Sequence, residues 1–313
     1  MTLQRLLTLL LVMLSILVPA AAEDAEDDAF AIPLPEMFFE PIPWDVDESP
    51  NSPIQSCFLP DNAGYHDDSL DIAIETFDRP TPDGTKKNRV WVVRIRLSDI
   101  SQLRTASANP KRPNSQSDDY VFRMAKRANA VLAINGDFFC YHTEGVIWRN
   151  GQQVRRENPS PRYDVLYIDM NGDFHIVRGD HAKNFQGFDG EILHAFSFGP
   201  RLVVDGQVIT DDEIRAITAN VGKNNLTQRL AFCQTGELEY MVVATEGPEQ
   251  VGSVGMTIRE IADLCAELGA QQAYNLDGGA STSIVLNFEK INATNKQRKV
   301  GDCIWFATLV PGR

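Results

Sequence analysis

Residues 257–281, TIREIADLCAELGAQQAYNLDGGAS, contain a helix, a strand and a polar turn in immediate succession. Thr257 followed three residues later by Glu260 is a capping box, and Gly269 is a typical C-terminal stop, so the spacing predicts a helix between them. Its apolar positions recur at helical intervals and lie on one face: Ile258, Ile261, Ala262, Cys265 and Leu268. A short apolar run after Gly269 then predicts a buried strand.

The turn that follows this strand carries Asp277 beside two glycines. An Asp-Gly pair alone predicts a hairpin turn. Here, however, Gly278 and Gly279 would let main-chain amides approach a ligand closely, and Ser281 and Thr282 add hydroxyl donors. The composition of the turn therefore also fits an oxyanion site beside a fixed carboxylate.

A second unit of the same kind occupies residues 121–139, VFRMAKRANAVLAINGDFF. Ser117 is a plausible N-cap for a helix whose apolar stripe is formed by Val121, Met124, Ala125 and Ala128. This helix leads into a buried strand that ends at Asn135, Gly136 and Asp137. Because both strands end in amide or carboxylate groups beside glycine, we predict that the two turns form one cleft.

The rest of the chain is dominated by strand patterns. In residues 89–98, RVWVVRIRLS, a half-buried strand is predicted, because its apolar residues recur at every second position: Trp91, Val93, Ile95 and Leu97. Hairpin turns are predicted at the glycine-containing pairs 150–151, 171–172, 205–206 and 235–236. The sequence predicts an α+β fold: a single mixed, mainly antiparallel, sheet-rich domain with two principal helices.

The N-terminal region predicts export. An apolar run of residues 6–18 precedes an Ala-x-Ala site, which is typical of a signal peptide over residues 1–22. Residues 23–56 form an acidic, proline-rich leader, in which Phe38, Phe39 and Trp44 suggest docking, and residues 57–313 form the domain. We expect a secreted or periplasmic protein with no stable membrane insertion after cleavage.

Composition limits the classes of partner. The formal charge of −14 disfavours binding to nucleic acid, and a small anionic substrate would need local cations. The five cysteines form no Cys-x-x-Cys pair, and the five histidines show no metal-binding spacing. We therefore predict neither a metal site nor a cofactor.

Five blocks of sequence, in order along the chain, resemble the phosphodiester glycosidase family: AINGDFF from residue 133, GVIWRNGQQV from 145, FGPRLVVDGQVI from 198, QRLAFC from 228 and SVGMTIREIADLCAELGAQQAYNLDGGASTSIV from 253. The resemblance covers about residues 88–310. It implies a secreted hydrolase that cleaves the glycosidic C–O bond of a sugar 1-phosphodiester of the N-acetylglucosamine-1-phospho-sugar type, releasing free sugar and a phosphomonoester. A glycosyl phosphodiester or an envelope glycan is the expected substrate.

The reaction that the resemblance implies needs a carboxylate near the anomeric carbon and a cation near the phosphate. We predict Asp277 as nucleophile or electrostatic stabiliser and Glu144 as the group that activates water, with His142 as a further acid or base. Arg201 and Arg229 are the predicted phosphate ligands, because a guanidinium binds two phosphate oxygens at once.

Asn135 and Asn275 are predicted to bind sugar hydroxyls or to orient the carboxylates, an interpretation that is compatible with capping the ends of buried strands. The remaining predicted substrate-binding residues are those of the two turns: Gly136, Asp137, Gly278, Gly279, Ser281 and Thr282. Phe138 and Phe139 could form the floor of a sugar subsite, although core packing is the alternative for at least one of them. Two further functions remain open, a metal-dependent phosphodiesterase and a non-catalytic protein that binds envelope glycans.

Overall fold

The computed structural model describes residues 39–158, 160–182, 191–248, 252–294 and 296–312. The predicted signal peptide, the first part of the leader and Phe38 lie outside these residues. None of the helices among the described residues has the length and apolar character that a bilayer crossing requires.

Strands account for most of the regular structure. In chain order they are β1 (Gly64–His66), β2 (Leu70–Pro80), β3 (Lys87–Leu97), β4 (Leu103–Ser107), β5 (Leu132–Asn135), β6 (Gly145–Arg149), β7 (Gln152–Asn158), β8 (Val165–Asp169), β9 (Phe174–Val177), β10 (Ile192–Ser197), β11 (Arg201–Val204), β12 (Gln207–Val208), β13 (Leu230–Gly236), β14 (Glu239–Thr245), β15 (Gln272–Asn275), β16 (Ile284–Leu286), β17 (Glu289–Lys290) and β18 (Asp302–Phe306). The helices are α1 (Val121–Ala128), α2 (Asp211–Ala216) and α3 (Ile258–Glu267).

The strands form three sheets. The first has the order β1-β2-β3-β14-β13-β15-β11-β12, the second β7-β6-β10-β8-β9, and the third β17-β16-β5-β18-β4. Every pairing between these strands is antiparallel, and one isolated bridge among the described residues, Lys87 to Ser253, is parallel. The predicted α+β domain is confirmed, with α1 and α3 as its longer helices.

Helix α3 forms as its sequence predicts. Thr257 and Glu260 make both hydrogen bonds of the capping box, and Gly269 adopts a φ of +94°, which ends the helix. Its apolar face buries Ile258, Ile261 and Cys265 against the first sheet, in a cluster that includes residues of β13, β14 and β15. This packing fixes the position of β15 and of the turn that follows it.

Helix α1 begins later than predicted. Its N-cap is Tyr120, whose side chain makes no capping hydrogen bond, so the prediction of Ser117 was wrong. Ser117 instead accepts a hydrogen bond from the hydroxyl of Ser115 at 2.9 Å. The predicted apolar stripe is confirmed, because its four members are buried: Val121, Met124, Ala125 and Ala128.

Strand β3 is buried on both faces near its centre, not on one. Val93, Ile95 and Leu97 belong to the largest core cluster, as their alternation predicts, and Trp91 packs against it. Val90 and Val92 point to the opposite face and join the cluster beneath α3. The helix therefore covers a face that the charged residues of this strand had suggested to be solvated.

Two of the predicted turns have the expected backbone. Asn150-Gly151 and Asp205-Gly206 have positive φ angles and connect β6 to β7 and β11 to β12. At 235–236 the prediction is displaced: Gly236 ends β13, and the positive φ falls on Leu238 instead.

The end of the leader packs against the domain. Ile42 is buried, and its amide donates a hydrogen bond to the hydroxyl of Ser101 at 3.0 Å. The buried Arg104 guanidinium donates from Nη2 to the carbonyls of Pro43 and Val46, at 3.0 and 2.6 Å, and lies 4.8 Å from the Trp44 ring. Residues 39–56 therefore belong to the same compact unit as the predicted domain.

Candidate active site

The turns after β5 and β15 meet, although these strands belong to different sheets. The Asn135 side chain connects them: its Nδ2 donates to the main-chain carbonyl of Asp277 at 2.8 Å, and its Oδ1 accepts from the amide of Ser283 at 3.0 Å. Nδ2 also donates to the carbonyl of Gly136 at 3.1 Å. Asn135 therefore uses its amide to hold the two turns together.

The Asp277 carboxyl group is buried, and only 6% of the residue is exposed. Burial raises its pKa to about 6, against the lowering effects of the Ser281 hydroxyl and of Arg298. Its Oδ2 has no hydrogen-bond partner among the described residues. At neutral pH the group is therefore mostly ionised, with one buried oxygen that accepts no hydrogen bond from the described residues.

The glycines of this turn serve close packing. A side chain at Gly278 would approach the carbonyl oxygen of Gln228 to 2.6 Å, and Gly279 has a φ of +59°. The amides of Gly279, Ser281 and Thr282 donate to main-chain carbonyls, at 3.0, 3.1 and 3.2 Å. The predicted oxyanion site therefore lacks these three amides, and the Thr282 hydroxyl, whose Oγ1 has no partner among the described residues, remains as a donor.

Asn275, at the end of β15, uses only one of its two side-chain polar atoms within the described structure. Its Nδ2 donates to the carbonyl of Gly199 at 2.8 Å, while its buried Oδ1 has no partner within the described structure. Thr282 resembles it, since its buried Oγ1 is also unpaired there. Both oxygens are suited to hydrogen-bond a polar ligand such as a sugar hydroxyl.

The loop between β5 and β6 carries His142 and Glu144. The His142 ring stacks on Tyr163, with centroids 5.0 Å apart, and burial lowers its pKa, so the ring is neutral at neutral pH. Arg155 fixes the loop by donating to the carbonyls of Glu144 and Phe139, at 3.0 and 2.8 Å.

Aromatic side chains surround this loop. Phe138 stacks on Tyr141 with a centroid separation of 4.6 Å and lies 6.4 Å from Phe198. Tyr141 is 45% exposed, whereas Phe139 is buried and belongs to a small core cluster with Cys140 and Ile147. Of the two predicted subsite residues, Phe138 therefore lies in the aromatic wall and Phe139 in the core.

Several buried polar atoms without partners lie on these turns and on the loop after β5. Of the fourteen such atoms in the part of the chain that the structure describes, six belong to His142 (both ring nitrogens), Glu144, Asn275, Asp277 and Thr282. Buried polar groups in proteins are normally paired, so a local group of unpaired ones is typical of a place where a polar ligand binds. The arrangement has the character of an active site: an ionised carboxylate, a neutral imidazole and free oxygens beside aromatic rings.

The chain matches the sequence profile of the phosphodiester glycosidase family over residues 128–307. It belongs to this family. The match contains both turns and the loop with His142 and Glu144. No curated protein sequence matches the chain.

Several solved structures have a similar fold, including the following three. The catalytic domain of zebrafish N-acetylglucosamine-1-phosphodiester alpha-N-acetylglucosaminidase, auto-inhibited by its pro-peptide, has a TM-score of 0.63 and 18% identity, over 77% of this chain and 84% of that one. A hypothetical protein from Synechocystis has a TM-score of 0.50 and 17% identity, over 75% and 61%. A protein from Burkholderia pseudomallei described as exported has a TM-score of 0.50 and 15% identity, over 72% and 75%.

Asp137 is a structural residue in this member of the phosphodiester glycosidase family. Its oxygens accept from the amides of Phe139 and Ser197, at 3.2 and 3.0 Å, and it forms an ion pair of 3.2 Å with Arg149. The residue is only 1% exposed. These contacts differ from the substrate contact that its place in the sequence predicts, because they occupy both carboxylate oxygens.

Arg149 joins Asp137 to a second buried carboxylate. Its Nε donates to Asp302 at 2.6 Å, and its guanidinium lies 4.1 Å from the centre of the Phe196 ring. Burial, with the nearby Asp137 charge, raises the pKa of Asp302 well above its usual range. Gly136 has no room for a side chain, since a Cβ would come within 2.2 Å of Asp302 Oδ1. Gly136 thus packs on this charged triad, beneath the turn.

Arg201 forms ion pairs with two carboxylates. Its guanidinium pairs with Asp164 at 3.2 Å and with Glu213 at 2.6 Å, so two carboxylates already compensate its charge. It lines a cavity of about 540 Å³ together with Phe198 and Pro200. A phosphate would have to compete with both carboxylates for this guanidinium.

Arg229 binds main-chain carbonyls. It donates from Nε to Met256 at 2.9 Å, from Nη1 to Val221 at 2.8 Å, and from Nη2 to Gly222 and Asn225 at 2.7 and 3.0 Å. The side chain is buried, which lowers its pKa to about 10. Its contacts are those of a structural residue that holds loops, and they differ from the predicted phosphate contact.

The sequence reasoning missed Arg298. Its Nη1 lies 3.9 Å from Asp277 Oδ2, and among the described residues no other cation forms an ion pair with Asp277. The signal that points to it is the run Lys296, Gln297, Arg298 and Lys299, a basic cluster in an acidic chain. No group of three or more His, Cys, Asp or Glu side chains within the described ranges is placed to hold a metal ion.

Proposed function

We propose that this protein cleaves the glycosidic C–O bond of a sugar 1-phosphodiester, releasing the free sugar and a phosphomonoester. The observation that supports the proposal is the buried carboxylate of Asp277, whose Oδ2 accepts no hydrogen bond from the described residues, at the junction of two turns within the phosphodiester glycosidase family match. The zebrafish glycosidase, which has a similar fold, acts on an N-acetylglucosamine-1-phosphodiester by its name. We extend that substrate type to this chain.

Asp277 is the group that faces the anomeric carbon. As the C1–O bond breaks, positive charge develops on the sugar ring, and a fixed carboxylate lowers the energy of that state or attacks C1 directly. Asn135 fixes its position through the main chain. The pKa of about 6 keeps the group charged at pH 7 and above.

The leaving group needs little protonation, because a phosphate ester is a stable anion once released. A second carboxylic acid is therefore not required as a proton donor. Glu144 has a buried Oε2, and His142, which is neutral, has two buried ring nitrogens. None of these three atoms has a hydrogen-bond partner among the described residues. Either group is suited to take a proton from the water that completes hydrolysis.

Sugar binding is assigned to the remaining free groups. Asn275 Oδ1 and Thr282 Oγ1 accept or share hydrogen bonds with hydroxyls, and the Phe138 and Tyr141 rings offer an apolar surface to a sugar face. We further propose that the protein acts outside the cytoplasm. A fold shared with an exported protein and the predicted signal peptide support this location.

The test is hydrolysis of an N-acetylglucosamine-1-phospho-sugar in ¹⁸O-labelled water. Label in the released sugar supports C–O cleavage, whereas label in the phosphate supports a phosphodiesterase that breaks the P–O bond. Tight binding of the glycan with no product would favour a non-catalytic glycan-binding protein. Asp277→Asn is the matched inactive control, because it keeps the size of the side chain and removes its charge.

A further inference from the structure

Residues 296–299, Lys-Gln-Arg-Lys, contain three cations in a chain with a formal charge of −14, and one of them, Arg298, lies beside the proposed catalytic carboxylate. We call these residues the basic segment. Lys296, Arg298 and Lys299 are all exposed, whereas the following Val300 is buried. The segment is therefore a local positive surface on an otherwise acidic protein.

Main-chain hydrogen bonds fix the basic segment against the active-site turn. The amide of Arg298 donates to the carbonyl of Ala280 at 3.0 Å, and Val300 exchanges hydrogen bonds of 2.8 and 3.0 Å with Asp119. The Tyr141 hydroxyl donates to the carbonyl of Lys299 at 3.4 Å, which connects the segment to the aromatic wall. The side chain of Arg298 thus extends from a fixed backbone position.

The Arg298 guanidinium lies near Asp277 but makes no direct hydrogen bond with its carboxylate. Its Nη1 is 3.9 Å from Asp277 Oδ2 and 3.5 Å from the Ser281 hydroxyl, and 45% of the side chain is exposed. A separation of 3.9 Å is too long for a direct hydrogen bond. Arg201 and Arg229, in contrast, direct their donors to carboxylates and carbonyls.

We propose that Arg298 binds the phosphate of the substrate and selects glycosyl phosphodiesters over neutral glycosides. This inference rests on the proposed function, since it assigns the phosphate side of the same site. A guanidinium presents parallel N–H donors that match two phosphate oxygens. Its distance from Asp277 leaves the carboxylate free to face the anomeric carbon while the cation faces the group that departs.

The chemistry of the step explains why a cation is needed there. The C1–O bond breaks and its electron pair moves to the phosphate oxygen, while water supplies the oxygen that bonds to C1. Of the two protons of that water, one stays on the new sugar hydroxyl and the other is released to a base or to solvent. The phosphate gains negative charge in this step, and Arg298 stabilises that charge in the transition state.

The experiment compares two substrates with the same sugar and different leaving groups. One is an N-acetylglucosamine-1-phospho-sugar, and the other is a neutral 4-nitrophenyl N-acetylglucosaminide. kcat/KM is measured for the wild type, Arg298→Gln, Arg298→Lys and the control Arg215→Gln. Arg215 is an exposed arginine of α2 that pairs with Asp212, so the control removes the same charge elsewhere.

Arg298→Gln should lower kcat/KM for the phosphodiester about 10- to 150-fold, the factor that corresponds to one charged hydrogen bond. For the neutral glycoside the change should stay below about threefold, and Arg215→Gln should match the wild type on both. Arg298→Lys should recover part of the activity, since an ammonium keeps the charge and loses the second donor. Equal losses on both substrates, or no loss, would overturn the inference.

Calorimetric binding of N-acetylglucosamine 1-phosphate separates this inference from the proposed function. Free N-acetylglucosamine is the control ligand. If the wild type hydrolyses neither substrate, the proposed function fails, and the affinity for the sugar phosphate still decides the role of Arg298. A weaker affinity in Arg298→Gln for the phosphorylated sugar alone supports the role, and an unchanged affinity refutes it.

Discussion

The Asn135 side chain donates a 2.8 Å hydrogen bond to the main-chain carbonyl of Asp277, across 142 residues of sequence and between two sheets. This bond, together with the one that Asn135 accepts from Ser283, sets where the carboxylate stands relative to the loop after β5. The proposed active site is thus formed by the junction of two turns.

Replacing Asp277 by Asn should reduce kcat by about 10²- to 10⁴-fold, because the amide cannot stabilise the positive charge at the anomeric carbon. The phosphodiester assay described above measures this loss. Circular dichroism should show an unchanged fold. Turnover at the wild-type rate in a folded variant would remove Asp277 from the mechanism.

The same substitution should stabilise the protein at neutral pH. Burial raises the pKa of Asp277 to about 6 in the folded state, so above pH 6 its charge costs folding stability that an amide does not cost. The gain should be about 2–3 kcal/mol at pH 7.5 and should vanish below about pH 4, where both side chains are uncharged. Urea unfolding at the two pH values measures it, and a destabilised variant at pH 7.5 would contradict the assigned environment.

On the acid side, kcat/KM should fall with an apparent pKa near 6. Asp277 must be ionised to act, and burial raises its pKa to about 6, so activity should fall as the pH drops through that value. Arg298 lowers this pKa, and Arg298→Gln should therefore move this fall to higher pH. A fall near pH 4, unmoved by Arg298→Gln, would show that another group controls the profile.

Asn135→Ala should mainly lower stability, whereas Asn275→Ala should mainly weaken substrate binding. Asn135 makes three hydrogen bonds within the protein, so its loss should cost about 2–4 kcal/mol of unfolding free energy. Asn275 makes one side-chain bond and keeps a free oxygen, so its loss should raise KM with a smaller stability change, about 1 kcal/mol. Chemical denaturation and steady-state kinetics on both variants check the pair, and the reverse order would refute these roles.

Arg229→Met should act on stability and not on phosphate affinity. The substitution removes the donor of four main-chain carbonyls, three in the 221–225 loop and that of Met256. This should lower the free energy of unfolding by about 3–5 kcal/mol. The affinity of the folded variant for N-acetylglucosamine 1-phosphate should equal that of the wild type. A tenfold or greater loss of that affinity with normal stability would restore Arg229 as a phosphate ligand.

The local sequence was sufficient to predict α3, the apolar stripe of α1 and the strands that they precede. Capping boxes, glycine stops and periodic apolar residues act over a few positions, so they can be read without knowledge of the fold. The pairing of the β5 and β15 turns was also predictable, because both strands end in the same kind of polar group.

The proposed phosphate ligand, Arg298, was not predictable in this way. An arginine in a matched block has no local feature that distinguishes a phosphate ligand from a partner of Asp164 and Glu213, as Arg201 is, or of main-chain carbonyls, as Arg229 is. Arg298 follows an irregular stretch, and the bond from its amide to Ala280 holds it beside the turn that carries Asp277. Such contacts depend on how distant segments fold together.

The contacts of Arg104 bear on where a shortened form of the protein can begin. Its Nη2 donates to the carbonyls of Pro43 and Val46, and burial lowers its pKa to about 10. Proteolytic removal of the chain up to and beyond Val46 would leave the buried Arg104 guanidinium without these carbonyl partners. It would also expose the surface that Ile42 covers. The smallest fragment that keeps native stability should therefore start before Ile42, well upstream of the family match.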